Sequence, residues 1–468
     1  MQTRESKKMI GRVISRHKVG VALFLGFLIR EFFSFWTGHP FDFELWVRLR
    51  YGLVHGSDPY GSLPPVSGLS FANVYSSQNS ATIGYLPFWP IVTGLLYIIY
   101  SAVGFGNRFV YYFLLKQPMI VGDLSLAYLL YSYVSSRRPG KGSIWALRFW
   151  LFSPFAIIFS GVWGMFDSIA MSFIIISAMT TSYAKRDLWT GLGIFTKSLT
   201  VIYAIPMAFG KGRNWRHVLA VVSLPALASI LTIVAMGWSI STATITLAST
   251  IGKGGALGSM SAWDVLAYLF FLGIQPQVPQ IVYRILGLIW IPAIIAFTIL
   301  AFRKLGFETD YGLVQSLLVV TLVFLIFKAR VTEQYSLYLL ALGVVDVALW
   351  NPQKKRLLAA TMAIALFYLV LNNYFLVRFL SPVYPNYVEF EGSLGQIEPI
   401  RVALLLISGT VFTSLNIAYL VSILRGRKHY QSGTRNTGFL TAANTSSSIL
   451  ACYPNTGPLC QNPIRHRA

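Results

Sequence analysis

The chain has 468 residues, of which 55% are hydrophobic and only 12% are charged. A soluble domain carries about 25% charged residues, so this composition excludes an ordinary soluble enzyme, and its apolar content excludes an intrinsically disordered chain. The 38 Lys and Arg against 16 Asp and Glu give a formal net charge of +22. The basic residues occur in short runs between apolar stretches of about 20 residues, which is typical of a protein that crosses a membrane several times. They do not form one basic surface with base-stacking partners, so nucleic acid is not expected as a partner.

The basic runs predict the path of the chain through the membrane. Basic residues beside spans mark the cytoplasmic side, and placing all of them there gives ten full spans with both termini in the cytoplasm. The predicted spans lie near residues 19–37, 111–134, 145–161, 165–184, 217–237, 281–302, 311–328, 335–350, 357–376 and 400–423. Residues 188–210 have basic residues at both ends and are too short for two spans. They predict a re-entrant hairpin or two short helices, with Lys197 at the tip.

The same path divides the chain into three regions. Residues 1–18 form a basic cytoplasmic N-terminus, residues 19–428 form the membrane domain, and residues 429–468, rich in Ser, Thr, Asn and Gly, form a disordered cytoplasmic tail. Within the membrane domain, residues 38–110 form the first outer loop. Its segment 85–104 is apolar enough to cross the membrane, but a crossing would place the next basic run outside. The sequence therefore favours an interfacial helix there, with an ordinary span as the alternative.

Asp42 and Glu44 follow the first span directly and are expected at the outer face of the membrane. The residues after them have the apolar spacing of an interfacial helix, which would fix a carboxylate at the boundary between membrane and water. Partly desolvated by aromatic neighbours, such a carboxylate is suited to accept a proton from a hydroxyl group. The alternative is structural, because acidic residues stabilise the N-terminus of a helix.

Several charged residues stand inside apolar segments, where charges are costly and are by default functional. With Glu31, which directly follows Arg30, there are five: Arg30, Glu31, Asp123, Asp167 and Lys197. The alternative is a structural ion pair within the bundle, Arg30 with Asp123 or Lys197 with Asp167, since buried charges are normally paired whatever their role.

A further charged segment, residues 328–335, joins two predicted spans on the outer side. Lys328 and Arg330 stand there beside hydrogen-bonding residues and would suit the phosphate of a lipid-linked substrate. Alternatively, they are outer anchors whose side chains reach the interface. The sequence contains no Walker A loop and no pair of His at metal-ligand spacing, and its two Cys lie in the tail. ATP-driven transport and zinc-dependent hydrolysis are therefore not expected.

Taken in order, seven segments resemble motifs of the C-type (GT-C) glycosyltransferases, and among these the polyprenyl- and dolichyl-phosphate-mannose-dependent mannosyltransferases of the GPI mannosyltransferase I type. The segments are Asp42-Phe43-Glu44, Gly56-Ser57-Asp58-Pro59-Tyr60, Tyr85-Leu86-Pro87-Phe88, Lys116 to Asp123, Trp163 to Ser168, Gly191 to Pro206 and Arg330 to Leu340. The resemblance covers roughly residues 20–345. It implies an all-α polytopic membrane protein, with a GT-C type bundle of transmembrane helices and interfacial helices in the first outer loop.

The resemblance also implies a set of site residues. Asp42 is the implied catalytic base, with Glu44 orienting the acceptor or acting as the base instead, and Arg330 with Lys328 binds the donor phosphate. The implied substrate-binding residues are Asp58, Tyr60, Lys116, Asp123, Trp163, Asp167, Lys197, Glu333, Gln334 and Tyr335. Pro40 precedes Asp42 where a D-x-D motif would need a second acid, so no cofactor is expected, and a divalent metal is the alternative that is not favoured.

The implied activity is the transfer of a monosaccharide, mannose by resemblance, from a polyprenyl- or dolichyl-phosphate donor to a glycolipid or lipid-linked glycan, with inversion at the anomeric carbon. The reaction would take place at the extracytoplasmic or lumenal face of a plasma membrane or an endoplasmic reticulum. Two alternatives are a transporter or flippase of a lipid-linked sugar, and an inactive family member that only binds such glycans. A transporter concentrates its charges near the middle of the bilayer, whereas the acidic motif here is expected at the outer boundary.

Overall fold

The computed structural model describes residues 2–50, 54–72, 74, 81–104, 106–210, 215–252, 259–265 and 287–426. The chain falls into two units, Met1–Leu424 and Arg425–Ala468, and of the second unit only residues 425 and 426 are described. The predicted cytoplasmic tail at 429–468 therefore lies outside the described residues. Every regular element in the described part of the chain is helical, which confirms the all-α class.

The α-helices are numbered here in chain order. They are α1 (Gln2–Ser34), α2 (Asp42–Arg48), α3 (Phe88–Val103), α4 (Arg108–Arg137), α5 (Lys141–Leu151), α6 (Pro154–Ile157), α7 (Asp167–Met179), α8 (Tyr183–Thr196), α9 (Ala204–Phe209), α10 (Trp215–Ala235), α11 (Ile240–Gly252), α12 (Trp290–Leu305), α13 (Asp310–Phe327), α14 (Ser336–Leu349), α15 (Lys355–Asn372), α16 (Tyr387–Ser393) and α17 (Glu398–Arg425). Six shorter helical segments also occur in the ranges that the structure describes: a π-helix at Ile158–Trp163 and 3₁₀ turns at Ser198–Tyr203, Glu333–Tyr335, Pro352–Lys354, Val377–Leu380 and Gly395–Ile397.

Several of these helices are long and apolar enough to cross a membrane. In the described residues they number five, at Arg108–Arg137, Trp215–Ala235, Asp310–Phe327, Pro352–Asn372 and Gly395–Arg425, or six if the bent pair α5 and α6 counts as one span. The predicted span at 165–184 is realised as the shorter α7, whose 13 residues rise only about 20 Å. The predicted span at 335–350 is realised as α14, in which every residue is buried. Both are thus packed segments of the bundle that are shorter than a bilayer core of about 30 Å.

Residues 188–210 form the later part of α8, a 3₁₀ turn and α9, which agrees with the predicted alternative of two short helices. Lys197 ends α8 with extended backbone angles, φ −147° and ψ 111°, and therefore lies at the junction where the sequence places the tip. The first helix begins earlier than predicted, at Gln2, and ends at Ser34. Of the predicted span at 281–302, residues 281–286 lie outside the described ranges, and α12 begins at Trp290.

The pair α5 and α6 is bent by 47°. The break falls at Pro154, whose missing N–H cannot continue the helical hydrogen bonds. The chain then passes into the π-helix, a rare form that is frequent at functional sites. This π-helix ends at Trp163, and Gly164 is its C-cap. The backbone of Gly164 has φ +85°, and an added Cβ would lie 2.6 Å from the Phe43 ring, so the turn requires glycine.

Two buried cations fasten this π-helix to its neighbours. Lys116 of α4 directs Nζ at four acceptors at 2.6 to 3.0 Å, among them the carbonyl oxygens of Gly161 and Val162. Arg30 of α1 donates through Nε to Ser160 Oγ of the π-helix at 3.1 Å and pairs with Asp123 of α4 at 2.5 Å, and the side chains of Arg30 and Asp123 are fully buried. The latter is the structural ion pair that the sequence offered as the alternative for these two residues.

The helix α3 has 16 residues and rises about 24 Å, which is less than a bilayer core. One side packs on the bundle, where Trp89 lies 6.0 Å from Trp46 between ring centroids. The other side exposes Leu95, Ile98 and Ile99, each about half accessible, at the spacing of one helical face. The interfacial placement stays a prediction, and the length and the single exposed apolar face of α3 are consistent with it.

The helix α4 joins the two ends of the bundle, because its 30 residues rise about 45 Å. At its N-terminal end Arg108 donates to the carbonyl of Pro382 at 3.3 Å. At its C-terminal end Arg137 pairs with Asp310 at 2.9 Å. We call this second end the basic end, since it carries predicted cytoplasmic runs: Arg137, Arg138, Lys141, Arg303, Lys304, Lys354, Lys355 and Arg356.

Candidate active site

Asp42 is the first residue of α2, and His39 holds this helix start. The Nδ1 atom of His39 accepts the backbone N–H of Phe41 at 3.4 Å and that of Asp42 at 3.3 Å. Burial lowers the pKa of His39 to about 3, with the charge of Arg378 adding to the effect, so the ring is neutral with its proton on Nε2. The 3.5 Å separation between His39 Nδ1 and Asp42 Oδ2 therefore joins two acceptors and is not an ion pair.

Trp163 fixes the carboxylate of Asp42. Its indole Nε1–H donates to Asp42 Oδ2 at 2.9 Å, and its ring stacks on His39 with centroids 4.5 Å apart. The Asp42 side chain keeps 30% exposure, so a substrate hydroxyl can reach it. Burial raises the pKa of Asp42, whereas the Trp163 hydrogen bond and the charges of Lys197 and Arg330 act against that rise. The result is a partly desolvated carboxylate held in one orientation, which suits a general base.

Lys197 and Asp167 form the second buried ion pair that the sequence offered as an alternative. Lys197 Nζ lies 2.6 and 2.7 Å from the two carboxylate oxygens of Asp167, and both side chains are at most 1% exposed. The ammonium also lies 5.2 to 5.5 Å from the ring centroids of Phe166, Tyr85 and Tyr335. The ion pair is therefore surrounded by aromatic rings. The positive charge of Lys197 also acts on Asp42.

Glu333 is a further acidic residue of the site, and its carboxyl group interacts with the charge of Asp42. Its Oε1 accepts from Asn372 Nδ2 at 2.7 Å, and the residue is 2% exposed. Burial raises the pKa of Glu333 to about 7, and the negative charge of Asp42 contributes to the rise. Besides Asp167, which is paired with Lys197, the site therefore contains two carboxyl groups in different environments: the partly exposed Asp42 and the buried Glu333, whose pKa of about 7 lies near neutral pH.

Two cations, Lys328 and Arg330, follow α13 and differ in their exposure. Arg330 is exposed, and its charge acts on both Asp42 and Tyr335. Lys328 is 7% exposed, with Nζ 5.1 Å from the centroid of the Trp290 ring. Burial lowers the pKa of Lys328 to about 8. Of the two predicted phosphate-binding residues, Arg330 is thus the accessible one.

Glu44 lies in a different setting from Asp42. It is fully buried, Arg48 Nε donates to its Oε1 at 2.7 Å, and the backbone N–H of Phe71 donates to its Oε2 at 3.0 Å. Both carboxylate oxygens are thus occupied by groups of the outer loop. This arrangement leaves no access for an acceptor hydroxyl, in contrast to Asp42.

Four further predicted substrate-binding residues make structural contacts. Asp58 accepts from the backbone N–H groups of Tyr60 at 3.0 Å and Ser239 at 3.2 Å. The Tyr60 hydroxyl donates to the carbonyl of Tyr85 at 3.1 Å. Lys116 and Asp123 hold the π-helix and α1 as described above. These four residues support the predicted first outer loop and the bundle.

The other predicted site residues lie together around Asp42. They are Trp163, Asp167, Lys197, Arg330, Glu333 and Tyr335, and Gln334 is hydrogen-bonded to Tyr85.

Three contributors were not predicted from the sequence: His39, Asn372 and Asn373. Asn372 binds Glu333, and the side chain of Asn373 hydrogen-bonds to His39. Their only signal in the sequence is that two Asn end an apolar helix, and that His39 directly precedes the acidic motif. No group of three or more His, Cys, Asp or Glu that could hold a metal ion occurs among the residues that the structure describes.

Comparisons with known proteins find similarity among solved structures. No protein-family model matches the chain, and no curated protein matches it. A crystal structure of ArnT from Cupriavidus metallidurans bound to undecaprenyl phosphate is similar to this chain with a TM-score of 0.45 and 15% identity, over 89% of this chain and 78% of that one. At this degree of similarity, the function has to be argued from the site itself.

Proposed function

We propose that the chain is a membrane glycosyltransferase of the GT-C type that uses a polyprenyl- or dolichyl-phosphate monosaccharide as donor. The observation that carries the proposal is the setting of Asp42. One oxygen of this carboxylate is held by Trp163 at 2.9 Å, its side chain is 30% exposed, and the charge of the exposed Arg330 reaches it. A single oriented base beside an accessible cation is what displacement of a phosphate by a hydroxyl requires.

The proposed reaction is a direct displacement. Asp42 takes the proton of an acceptor hydroxyl while that oxygen forms a bond to the anomeric carbon. The bond between the anomeric carbon and the phosphate oxygen breaks, and the lipid phosphate leaves with both electrons. Arg330 stabilises the negative charge that grows on this phosphate. Attack opposite to the leaving group inverts the anomeric centre.

Within this proposal Glu44 is a structural residue, and Asp42 alone is the base. Glu44 has no exposed surface and both of its oxygens accept hydrogen bonds from the outer loop. The acceptor is proposed to be a glycolipid or lipid-linked glycan, and mannose is the sugar that we propose from the sequence resemblance.

The test is a transfer assay on the purified full chain in detergent. Short-chain polyprenyl-phosphate mannose and polyprenyl-phosphate glucose serve as donors and a membrane lipid extract as acceptor, with and without a chelator. We expect transfer from one donor in the wild type and its loss in Asp42→Asn, which keeps an oxygen for the Trp163 hydrogen bond. Asp58→Asn removes the same charge from the same loop and is expected to keep activity within about tenfold. Transfer by Asp42→Asn at the wild-type rate would contradict the proposal, and so would donor binding without transfer by the wild type, which would favour a flippase.

A further inference from the structure

Two helices at the basic end leave a groove between them. Helices α5 and α15 both begin at this end, at Lys141 and Lys355. Each lines the groove with four residues that are separated by three, one and three positions, the spacing of a single helical face. The two faces are Trp145, Arg148, Phe149 and Phe152, and Ala359, Met362, Ala363 and Leu366. They line a cavity of about 540 Å³. The small side chains of the two alanines, four residues apart, leave room for it between the larger apolar groups.

A second cavity of about 410 Å³ continues this groove at its basic end. Trp145 lines both cavities, and Lys355 Nζ lies 5.4 Å from the centroid of its ring. Arg138 and Lys141 complete a group of three cations, and no acidic residue lines this cavity. Within the described part of the chain, no carboxylate lies within 4.0 Å of the charged nitrogens of these three side chains.

The groove is remote from the candidate active site. Lys116 lies under the π-helix that ends at Trp163, and Arg138 directly follows the last residue of the same helix α4. Arg138 is 22 positions after Lys116, a rise of about 33 Å, which is about the thickness of a bilayer core. The cations of the groove are therefore in the opposite leaflet from Asp42.

We infer that this groove binds an anionic phospholipid of that leaflet. The phosphate and the net negative charge of its headgroup would lie among Arg138, Lys141 and Lys355, which offer charge-assisted hydrogen bonds without competing carboxylates. One acyl chain would follow the trough, whose lining is apolar apart from Arg148 and Ser153 and which runs from Lys355 to Leu366 over about 16 Å. Trp145 lies at the junction of the two parts, where its amphipathic ring suits the level of the headgroups. Because the groove has both a cationic part and an apolar part, its ligand needs both an anionic headgroup and an acyl chain.

The test measures lipid binding to the purified full chain by native mass spectrometry. Phosphatidylglycerol and phosphatidylcholine with identical acyl chains are titrated in detergent. We expect the wild type to prefer phosphatidylglycerol, and Lys141→Gln/Lys355→Gln to bind it about 30-fold more weakly, at about fivefold for each cation. The control Arg303→Gln/Lys304→Gln removes two charges from exposed positions at the same end and is expected to keep the wild-type affinity.

Two further arms separate a lipid site from a simple anion site. Ala363→Leu fills the trough without a change in charge and is expected to weaken phosphatidylglycerol binding, with wild-type thermal stability as the check on folding. Inorganic phosphate at millimolar concentration is expected not to displace the lipid. Any one of four results would overturn the inference. They are an equal loss of binding in both double variants, no preference for one headgroup, wild-type affinity in Ala363→Leu, and displacement of the lipid by inorganic phosphate. Because none of these readouts depends on sugar transfer, the inference stands or falls separately from the proposed reaction.

Discussion

The hydrogen bond from Trp163 to Asp42 allows the proposed base to be tested without removing it. Trp163→Phe keeps an aromatic ring beside His39 but loses the donor that lies 2.9 Å from Asp42 Oδ2. A hydrogen bond to a charged group contributes about 1.5–3 kcal/mol, and water at the 30% exposed carboxylate replaces part of that. We therefore take the lower limit, about 1.5 kcal/mol, which corresponds to about one pKa unit.

The direction of the effect follows from the role of this bond. The Trp163 hydrogen bond lowers the pKa of Asp42 against the effect of burial, so its loss raises the pKa by about one unit. A base must be ionised to act, and activity is lost as the pH falls through its pKa. The acid limb of the kcat/KM profile should therefore move up by about one pH unit, with about tenfold lower activity at any pH on that limb.

The assay is sugar transfer measured between pH 5 and pH 8, beside a matched control. Trp150→Phe removes an indole hydrogen bond of 3.1 Å to Asp123, in the buried pair with Arg30. This control is expected to lower the thermal stability and to leave the acid limb in place. An acid limb that is the same in Trp163→Phe and wild type, or an equal shift in Trp150→Phe, would refute the reasoning.

Four other substitutions have outcomes that the structure specifies. The pKa of Glu333 is about 7 in the folded chain against 4.5 for the free side chain, so folding holds its proton more tightly, and stability should fall as pH rises from 4.5 to 7 and then level off. Glu333→Gln should remove this fall of up to about 3 kcal/mol, as measured by thermal unfolding at pH 5.5 and 8. Lys197→Met leaves Asp167 buried and unpaired and should cost about 3–5 kcal/mol, much of which Lys197→Met/Asp167→Leu should recover in denaturant unfolding. Gly164→Ala, at φ +85°, should lower the free energy of unfolding by about 1–3 kcal/mol in the same measurement. Glu44→Gln should lower the thermal unfolding temperature while kcat/KM stays above about a tenth of the wild-type value.

The helices of the bundle can be predicted from the sequence because they depend on local runs of apolar residues. The charge pairs can be predicted because a buried charge requires a partner of opposite sign. Apolar stretches with few charges predict helices that cross a membrane, and the junction at Lys197 follows from basic residues on both sides of a short apolar segment. Arg30 and Asp123 stand alone in apolar surroundings, where each needs a partner of opposite sign. The structure pairs them at 2.5 Å, as the structural alternative required.

The details that make Asp42 a distinct carboxylate could not be predicted in this way. Trp163 is 121 residues away in the chain and reaches Asp42 only because the helix breaks at Pro154 and then widens into a π-helix. A periodicity of apolar residues carries no information on such a break or on which side chain it turns toward the outer loop. The cap formed by His39 was equally hidden, since helix starts are usually held by Ser, Thr, Asp or Asn.

The spacing of the acidic motif explains why only one of its two carboxylates faces the site. Residues two apart in an α-helix are separated by about 200° around its axis, so Asp42 and Glu44 point to opposite sides of α2. Arg48, four residues after Glu44, shares its side and pairs with it at 2.7 Å while also donating to the carbonyls of Leu63 and Ala72 at 3.4 and 3.3 Å. Glu44 and Arg48 thereby tie α2 to the rest of the outer loop, and this attachment holds the opposite side, with Asp42, against Trp163. Loss of Glu44 should therefore act mainly on stability and loss of Asp42 mainly on transfer, although the two residues are separated by a single position in the sequence.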